Sequence, residues 1–306
     1  MYDWTSFDTV FEKAPKWTYE QNALQTISRH RQNMEGVLFF DRIWGSLGLK
    51  HAMKMFPPKS NQELRKLFET VVNASAPDHQ KHAIIYYILK DCKPLPDHGE
   101  AFARKIYLPR KYKMLVSGLH DLDHGQAKQS LELLTDSSLT PTFSDQILYT
   151  LLQNSKIDSS LAMAYYVTVS PPLADQKTLN AYFSFLCDTN IVHAYTFCQT
   201  RVDSERRALF EQLILSALSP KGDQTVSRAE TMIGLPLSNM EVLWFEDILL
   251  HGRGSSYHGA KDSVIMRRIA TGRDYTQLQS LQQFRGQEIN GINWVDVRTN
   301  FQNAST

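Results

Sequence analysis

Helix start signals constrain this chain more than any other feature. Ser60-x-x-Glu63, Thr18-x-x-Gln21 and Ser238-x-x-Glu241 each place a hydroxyl three residues before a carboxylate or amide. In that arrangement the two side chains satisfy amide hydrogens that the first turn of a helix leaves without partners. Apolar residues then recur at helical spacing. Phe210, Leu213, Ile214, Ala217 and Leu218 form one stripe on a helix starting near Ser204, and Leu179, Tyr182, Phe183 and Leu186 form another. Pro57-Pro58, Pro94, Pro96, Pro141, Pro171-Pro172 and Pro236 fall between the periodic segments, where a missing amide donor and a fixed φ do least damage.

Only Tyr165 to Val169 has a β-like composition, and it continues from Leu161, Ala162, Met163 and Ala164, which favour a buried helix. No sheet is expected. Segments 35–49 and 78–91 are apolar on nearly all sides, as inner helices covered by their neighbours are. The expected fold is all-α, an irregular α-solenoid of stacked helical hairpins, with no clean repeat of fixed length. After about residue 270 the chain becomes rich in Gln and Asn with scattered bulky residues. The expected organisation is therefore a helical domain over 1–270 and a partly irregular extension over 271–306.

Composition narrows the function classes. Hydrophobic residues are 42% and charged residues 21%, enough to bury a core and to exclude wholesale disorder. Lys+Arg is 33 against Asp+Glu 32, so a net charge of +1 supplies no global pull toward nucleic acid or an anionic membrane. The basic run Arg104, Lys105, Arg110, Lys111 and Lys113 reads as a solvated helix face. No apolar run reaches the roughly 20 residues a bilayer-spanning helix needs, and the opening MYDWTSFDTVFEK lacks a basic segment followed by an apolar one. A soluble protein without a secretory route is expected, without membrane insertion. Cys92, Cys187 and Cys198 form no C-x-x-C pair, which suits a reducing compartment.

His120-Asp121-Leu122-Asp123-His124-Gly125 is the sharpest catalytic motif. Helical metal-dependent phosphohydrolases use an adjacent His-Asp pair, a His from another helix and a distant Asp to hold divalent ions. The string resembles the metal motif of cyclic nucleotide phosphodiesterases, and His79 and His82 resemble their other histidine motif. Those histidines are four residues apart in that family, whereas His79 and His82 are three apart, and Asp188 as the distant Asp lacks its context. The alternative reading is an inter-helix turn: Leu115, Leu119 and Leu122 end one helix, Asp123 to Gly125 turn, and Ala127, Leu131 and Leu134 begin the next apolar face. Phosphate-cradling glycine loops and the serine elbow are missing from the sequence. No catalytic residue, cofactor or metal ligand is nominated, and an enzyme is not expected. An all-α phosphohydrolase using His120 and Asp121 stands as the alternative.

Several separated blocks carry a resemblance. They are Gly36 to Ile43, then Phe56-Pro57-Pro58-Lys59-Ser60, then Lys81 to Asp91, then Leu122-Asp123-His124-Gly125 with Ala127 and Leu131 to Asp136, and last Gly234-Leu235-Pro236-Leu237 with Glu241 and Trp244. In this order, over roughly residues 20 to 250, the chain resembles the helical domain of the ELYS family of nuclear pore proteins, in its short, fungal-type form. The resemblance implies a structural nucleoporin of the outer-ring Y-complex, acting in pore assembly and in nucleocytoplasmic transport of protein and mRNA, at the nuclear pore of the nuclear envelope. It implies other Y-complex nucleoporins as partners, among them the large propeller-plus-helical arm subunit and a small β-propeller subunit, and no direct DNA binding. From the residues themselves, Phe284, Ile292, Trp294 and Phe301 are the expected partner-binding side chains, because bulky groups in a polar extension gain most by docking.

Overall fold

A computed structural model describes residues 2–12, 16–92, 97–153, 159–219 and 224–272. Among these residues every regular element is helical, so the all-α expectation holds. The described residues cluster into two compact units, one up to Leu173 and one from Ala174 onward. The first contains α1 (Phe7–Val10), α2 (Gln21–Asn33), α3 (Phe39–Ser46), α4 (Ala52–Met55), α5 (Asn61–Val72), α6 (Asp78–Lys90), α7 (His98–Lys105), α8 (Arg110–Asp123), α9 (Ala127–Leu134), α10 (Ser144–Gln153) and α11 (Ser159–Val169). The second contains α12 (Gln176–Thr189), α13 (Ile191–Gln199), α14 (Asp203–Leu218), α15 (Gln224–Ile233), α16 (Asn239–Leu250), a 3-10 turn at Arg253–Ser256, and α17 (Ala260–Thr271). No helix among the described residues is long and apolar enough to cross a membrane.

In the first unit α8 packs against α2, α3, α6 and α9, and α6 packs against α3, α5, α7 and α8. Residues Ala83 to Leu89 of α6 are all buried, because neighbours cover every side of the helix. This is what its run of apolar residues foretells. Aromatic rings fill the space between α3 and α6: Phe40 stacks on Phe56 at 3.9 Å, and Tyr87 meets them edge-on at 5.2 and 5.8 Å. Each such side chain contributes about 1.5–3 kcal/mol by leaving water. Gly118 lets α8 and α9 approach closely, since a Cβ there would lie 2.5 Å from Leu134 Cγ.

In the second unit α12 packs on α13 and α14, α14 on α15 and α16, and α17 on α15 and α16. Both stripes read from the sequence are buried, Phe210 to Leu218 on α14 and Leu179 to Leu186 on α12. Tyr165 to Val169 lies at the end of α11 and is helical, as expected.

The capping boxes differ in outcome. Ser238 and Glu241 form a complete one at the start of α16. Ser60 accepts the Glu63 amide at 3.2 Å, while Glu63 reaches one residue further back, to the Lys59 amide at 2.7 Å. Thr18 caps nothing: α2 starts at Gln21 with Glu20 at its N-cap, and the buried Thr18 hydroxyl has no hydrogen-bond partner. Residues 17–20 form no regular element, with Glu20 extended, and Tyr19 packs its ring against Trp17 at 4.9 Å and Phe56 at 5.7 Å. Tertiary packing overrides the local signal there.

Candidate functional site

The chemistry-bearing side chains gather where the C-terminal ends of α6 and α8 meet the start of α3. Leu122 closes the apolar face of α8, Gly125 turns the chain at φ +74°, and α9 begins at Ala127. The turn reading of the His-Asp string is therefore the one observed. The turn approaches α2 so closely that a Cβ at Gly125 would meet His30 Cε1 at 2.4 Å.

Asp123 ends α8 and is 1% exposed. Its two oxygens accept the backbone amides of Phe39 and Phe40 at 2.8 and 2.9 Å, and Oδ2 also accepts the Tyr87 hydroxyl at 2.8 Å. A helix N-terminus leaves such amides without partners, and Leu38 at the N-cap of α3 has no side-chain oxygen to offer. Asp123 fills that role from another helix. Burial pushes its carboxyl up to about 6, against the three hydrogen bonds that favour the ion. Within α3 itself, Asp41 accepts the Leu38 amide at 2.9 Å and pairs with Arg31, which also donates to the Phe56 carbonyl at 3.1 Å.

One turn away, Asp91 at the C-cap of α6 receives two imidazoles. His120 Nε2 and His124 Nε2 lie 2.8 and 3.0 Å from its Oδ1, and the Tyr19 hydroxyl donates to its Oδ2 at 2.7 Å. His120 Nδ1 faces Asp121 Oδ1 at 3.2 Å, and His124 Nδ1 faces the His120 carbonyl at 2.7 Å. The two rings stack with centroids 4.0 Å apart. Burial alone would raise the Asp91 carboxyl, yet both imidazoles hold it well below the usual carboxylate range. For His124 burial works against the charged form, and the Asp91 hydrogen bond and charge outweigh it, raising the imidazole to about 9. A cavity of about 220 Å³ borders this cluster, walled by Trp17, Tyr19, Ala23 and Ile27 and reaching Asp91 and His124.

The sequence motif is thus split between two tasks. Asp121, the expected partner of His120 in a catalytic pair, also binds Lys90 at 3.1 Å, and Asp123 serves α3. His79 lies against the Tyr112 ring at 4.9 Å and His82 against the Trp4 ring at 4.5 Å, so neither joins the cluster. Asp188 belongs to the second unit. Asp91 is the residue that sequence reasoning missed as a site member. A signal for it existed: a carboxylate at a helix C-terminus opposes the helix dipole, and is stable there when a cation from elsewhere meets it. Of the basic run, Lys105 pairs with Glu12 at 3.0 Å and Lys113 with Glu100 at 2.9 Å. Phe284, Ile292, Trp294 and Phe301 lie outside the described residues.

The second unit has its own buried polar group. The Tyr195 hydroxyl lies 2.8 Å from the Pro236 carbonyl and 3.1 Å from Glu241 Oε2. Gln199 donates to Glu241 Oε1 at 2.6 Å, and Arg267 donates to the Ile233 carbonyl and to that of Leu235, the latter at 2.9 Å. These bonds fix the Leu235-Pro236-Leu237 turn before α16. The three free cysteines are buried.

Comparison with known proteins adds a family to this geometry. The family model of ELYS, described as nuclear pore complex assembly, matches residues 37–252. The uncharacterized protein ely5 of Schizosaccharomyces pombe is 25% identical over 236 residues, which are 77% of this chain and 75% of that protein. Asp91, His120, Asp123, His124 and Glu241 all fall within the matched span.

Proposed function

The chain belongs to the ELYS family of nuclear pore complex assembly, and from that premise we propose that it is a structural nucleoporin, a subunit of the outer-ring Y-complex. It acts in pore assembly and in nucleocytoplasmic transport through protein–protein contacts, at the nuclear pore of the nuclear envelope. Its partners are other Y-complex nucleoporins, the large propeller-plus-helical arm subunit and a small β-propeller subunit among them. Direct DNA binding and catalysis form no part of this reading, and the phosphohydrolase alternative gains no support from either comparison.

The observation that carries the reading is where the family-like blocks meet. Phe39 and Phe40 from the first, Tyr87 and Asp91 from the third, and Asp123 and His124 from the fourth meet in two adjacent buried groups whose hydrogen bonds join helices, one on Asp123 and one on Asp91. Their chemistry is used on architecture, which is what a scaffold requires. Packing of neighbouring helices such as α8 on α9 and α12 on α13 supports the stacked-hairpin arrangement, whose long helical faces suit large partners. Met240 and Leu243 of α16 are 56% and 61% exposed and offer apolar contact on such a face. We place the domain over 1–270 and assign Phe284, Ile292, Trp294 and Phe301 of the extension to partner binding.

Affinity capture of the tagged full chain under gentle lysis tests this. Y-complex subunits should co-purify in fixed proportion, and a truncation after residue 270 should lose them while keeping its helical content and cooperative unfolding. Recovery without any outer-ring nucleoporin would overturn the assignment, and undiminished capture by the truncated chain would overturn the role of the extension.

A further inference from the structure

We propose that Asp91 Oδ1, His120 Nε2 and His124 Nε2 bind one divalent transition ion of the Zn²⁺ class, which clips the C-terminal end of α6 to that of α8. This inference is independent of the pore assignment. The three ligand atoms lie within 4.8 Å of one another and come from two helices.

Each imidazole sets Nδ1 against an acceptor, as metal-bound histidines do, and Nε2 within 3.0 Å of Asp91 Oδ1, and the stacked rings turn apart for both to meet one ion. The acceptor is the His120 carbonyl for His124, at 2.7 Å, and Asp121 for His120, at 3.2 Å. Asp121 is itself held by Lys90 at 3.1 Å. Asp91 is anchored from behind, because the Tyr19 hydroxyl occupies Oδ2 and leaves Oδ1 for the shared point. First ligands and their supports thus come as a set.

Hydrogen counting sharpens the point. A carbonyl oxygen only accepts, so Nδ1 of His124 carries a hydrogen. Its Nε2, 3.0 Å from a carboxylate oxygen, then needs a second hydrogen or a cation, since two lone pairs would otherwise face each other. His120 is likewise set between two carboxylates, those of Asp121 and Asp91. The two rings stack with centroids 4.0 Å apart and planes 21° from parallel. One divalent ion supplies the positive charge that both Nε2 atoms and the carboxylate oxygen can face together. Any hydrogen on an Nε2 passes to solvent as the ion enters, and no electron moves.

Size and access agree. Ligands held tetrahedrally at ~2.0–2.1 Å from Zn²⁺ sit about 3.3 Å apart. The 2.8 and 3.0 Å contacts to Oδ1 open by a few tenths of an ångström, and the two Nε2 atoms, within 4.8 Å of each other, settle to the same spacing. The 220 Å³ cavity reaches Asp91 and His124, which gives the ion an entry path and leaves room for water as a fourth ligand. A donor set of two imidazoles and one carboxylate suits Zn²⁺ and not the all-oxygen preference of Mg²⁺ or Ca²⁺.

The test uses the purified full chain, stripped with chelator and titrated with Zn²⁺ by calorimetry. One tight equivalent should bind and raise the unfolding temperature. His124→Gln and Asp91→Asn should each weaken that equivalent by at least roughly tenfold to a hundredfold, while exposed His193→Ala and His251→Ala should leave it intact. X-ray absorption of the Zn²⁺-loaded wild-type chain needs no variant and should show two imidazole nitrogens with oxygen ligands. Absence of a tight equivalent, binding unchanged in both ligand variants, loss in the surface variants instead, or sulfur in the coordination shell would each overturn the site.

Discussion

The Asp123 carboxylate accepts the main-chain amide of Phe39 at 2.8 Å, a contact between residues 84 positions apart in the sequence. With the Phe40 amide it gives α3 the N-terminal cap that Leu38 cannot provide, so the position of α3 depends on the end of α8. The Asp123→Ala variant removes that cap and leaves buried donors without partners. A lost cap costs ~0.5–2 kcal/mol, and an orphaned buried donor adds about 1–3 kcal/mol. Urea unfolding should show a loss of roughly 2–4 kcal/mol, with Tyr87→Phe losing less. A double-mutant cycle between the two should give a coupling energy clearly different from zero, and strict additivity would remove Tyr87 from the network.

Gly118→Ala separates helix propensity from packing. Alanine should favour an isolated helix by ~1 kcal/mol over glycine. Here the new methyl would meet Leu134 Cγ at 2.5 Å in the α8–α9 contact. Overpacking costs about 1–3 kcal/mol, so a net loss is expected. Combining the change with Leu134→Ala should recover part of it, whereas a stabilised single variant would contradict the close approach.

Glu241 gives a pH dependence. Its carboxyl sits below the usual range: burial acts to raise it, and is outweighed by hydrogen bonds from Gln199, Ser238 and Tyr195. A carboxyl depressed in the folded state contributes stability that is present above its ordinary value of about 4.3 and lost as pH falls toward the folded value. Unfolding temperatures of wild type and Glu241→Gln should therefore differ most near neutral pH and converge in acid. A constant gap down to the acid limit would exclude a proton-linked role.

Thiol reactivity tests the second unit. Cys198 is fully buried, and burial, with Glu241 nearby, pushes its thiol up to about 12. Cys92 and Cys187 are buried as well. The native chain should resist alkylation at pH 8, where an ordinary thiol reacts readily, and all three should label in denaturant. Fast native labelling of Cys198 would show that α13 opens locally.

Helices were legible from the chain wherever one side chain set fixed both the period and the burial. The stripe at Phe210, Leu213, Ile214 and Ala217 of α14 is of this kind, and so is the apolar run of α6. Gly125 announced its turn because a left-handed position after a helix end favours glycine. The start of α2 was not legible, since Tyr19 is held by the Phe56 ring and the Asp91 carboxylate from distant parts of the chain. The polar cluster was half visible. His120, Asp121, Asp123 and His124 stand together in sequence, but their division of labour depends on Asp91, Tyr87 and Phe39, which only the fold brings near.

Imaging of the chain, tagged at its own locus in its living host cell beside a known pore subunit, bears most directly on the claim that this is a pore scaffold. The account predicts a punctate nuclear rim that coincides with the pore marker and persists in a variant lacking His120. A diffuse signal through the cytoplasm or nucleoplasm, with no enrichment at pores, would contradict it.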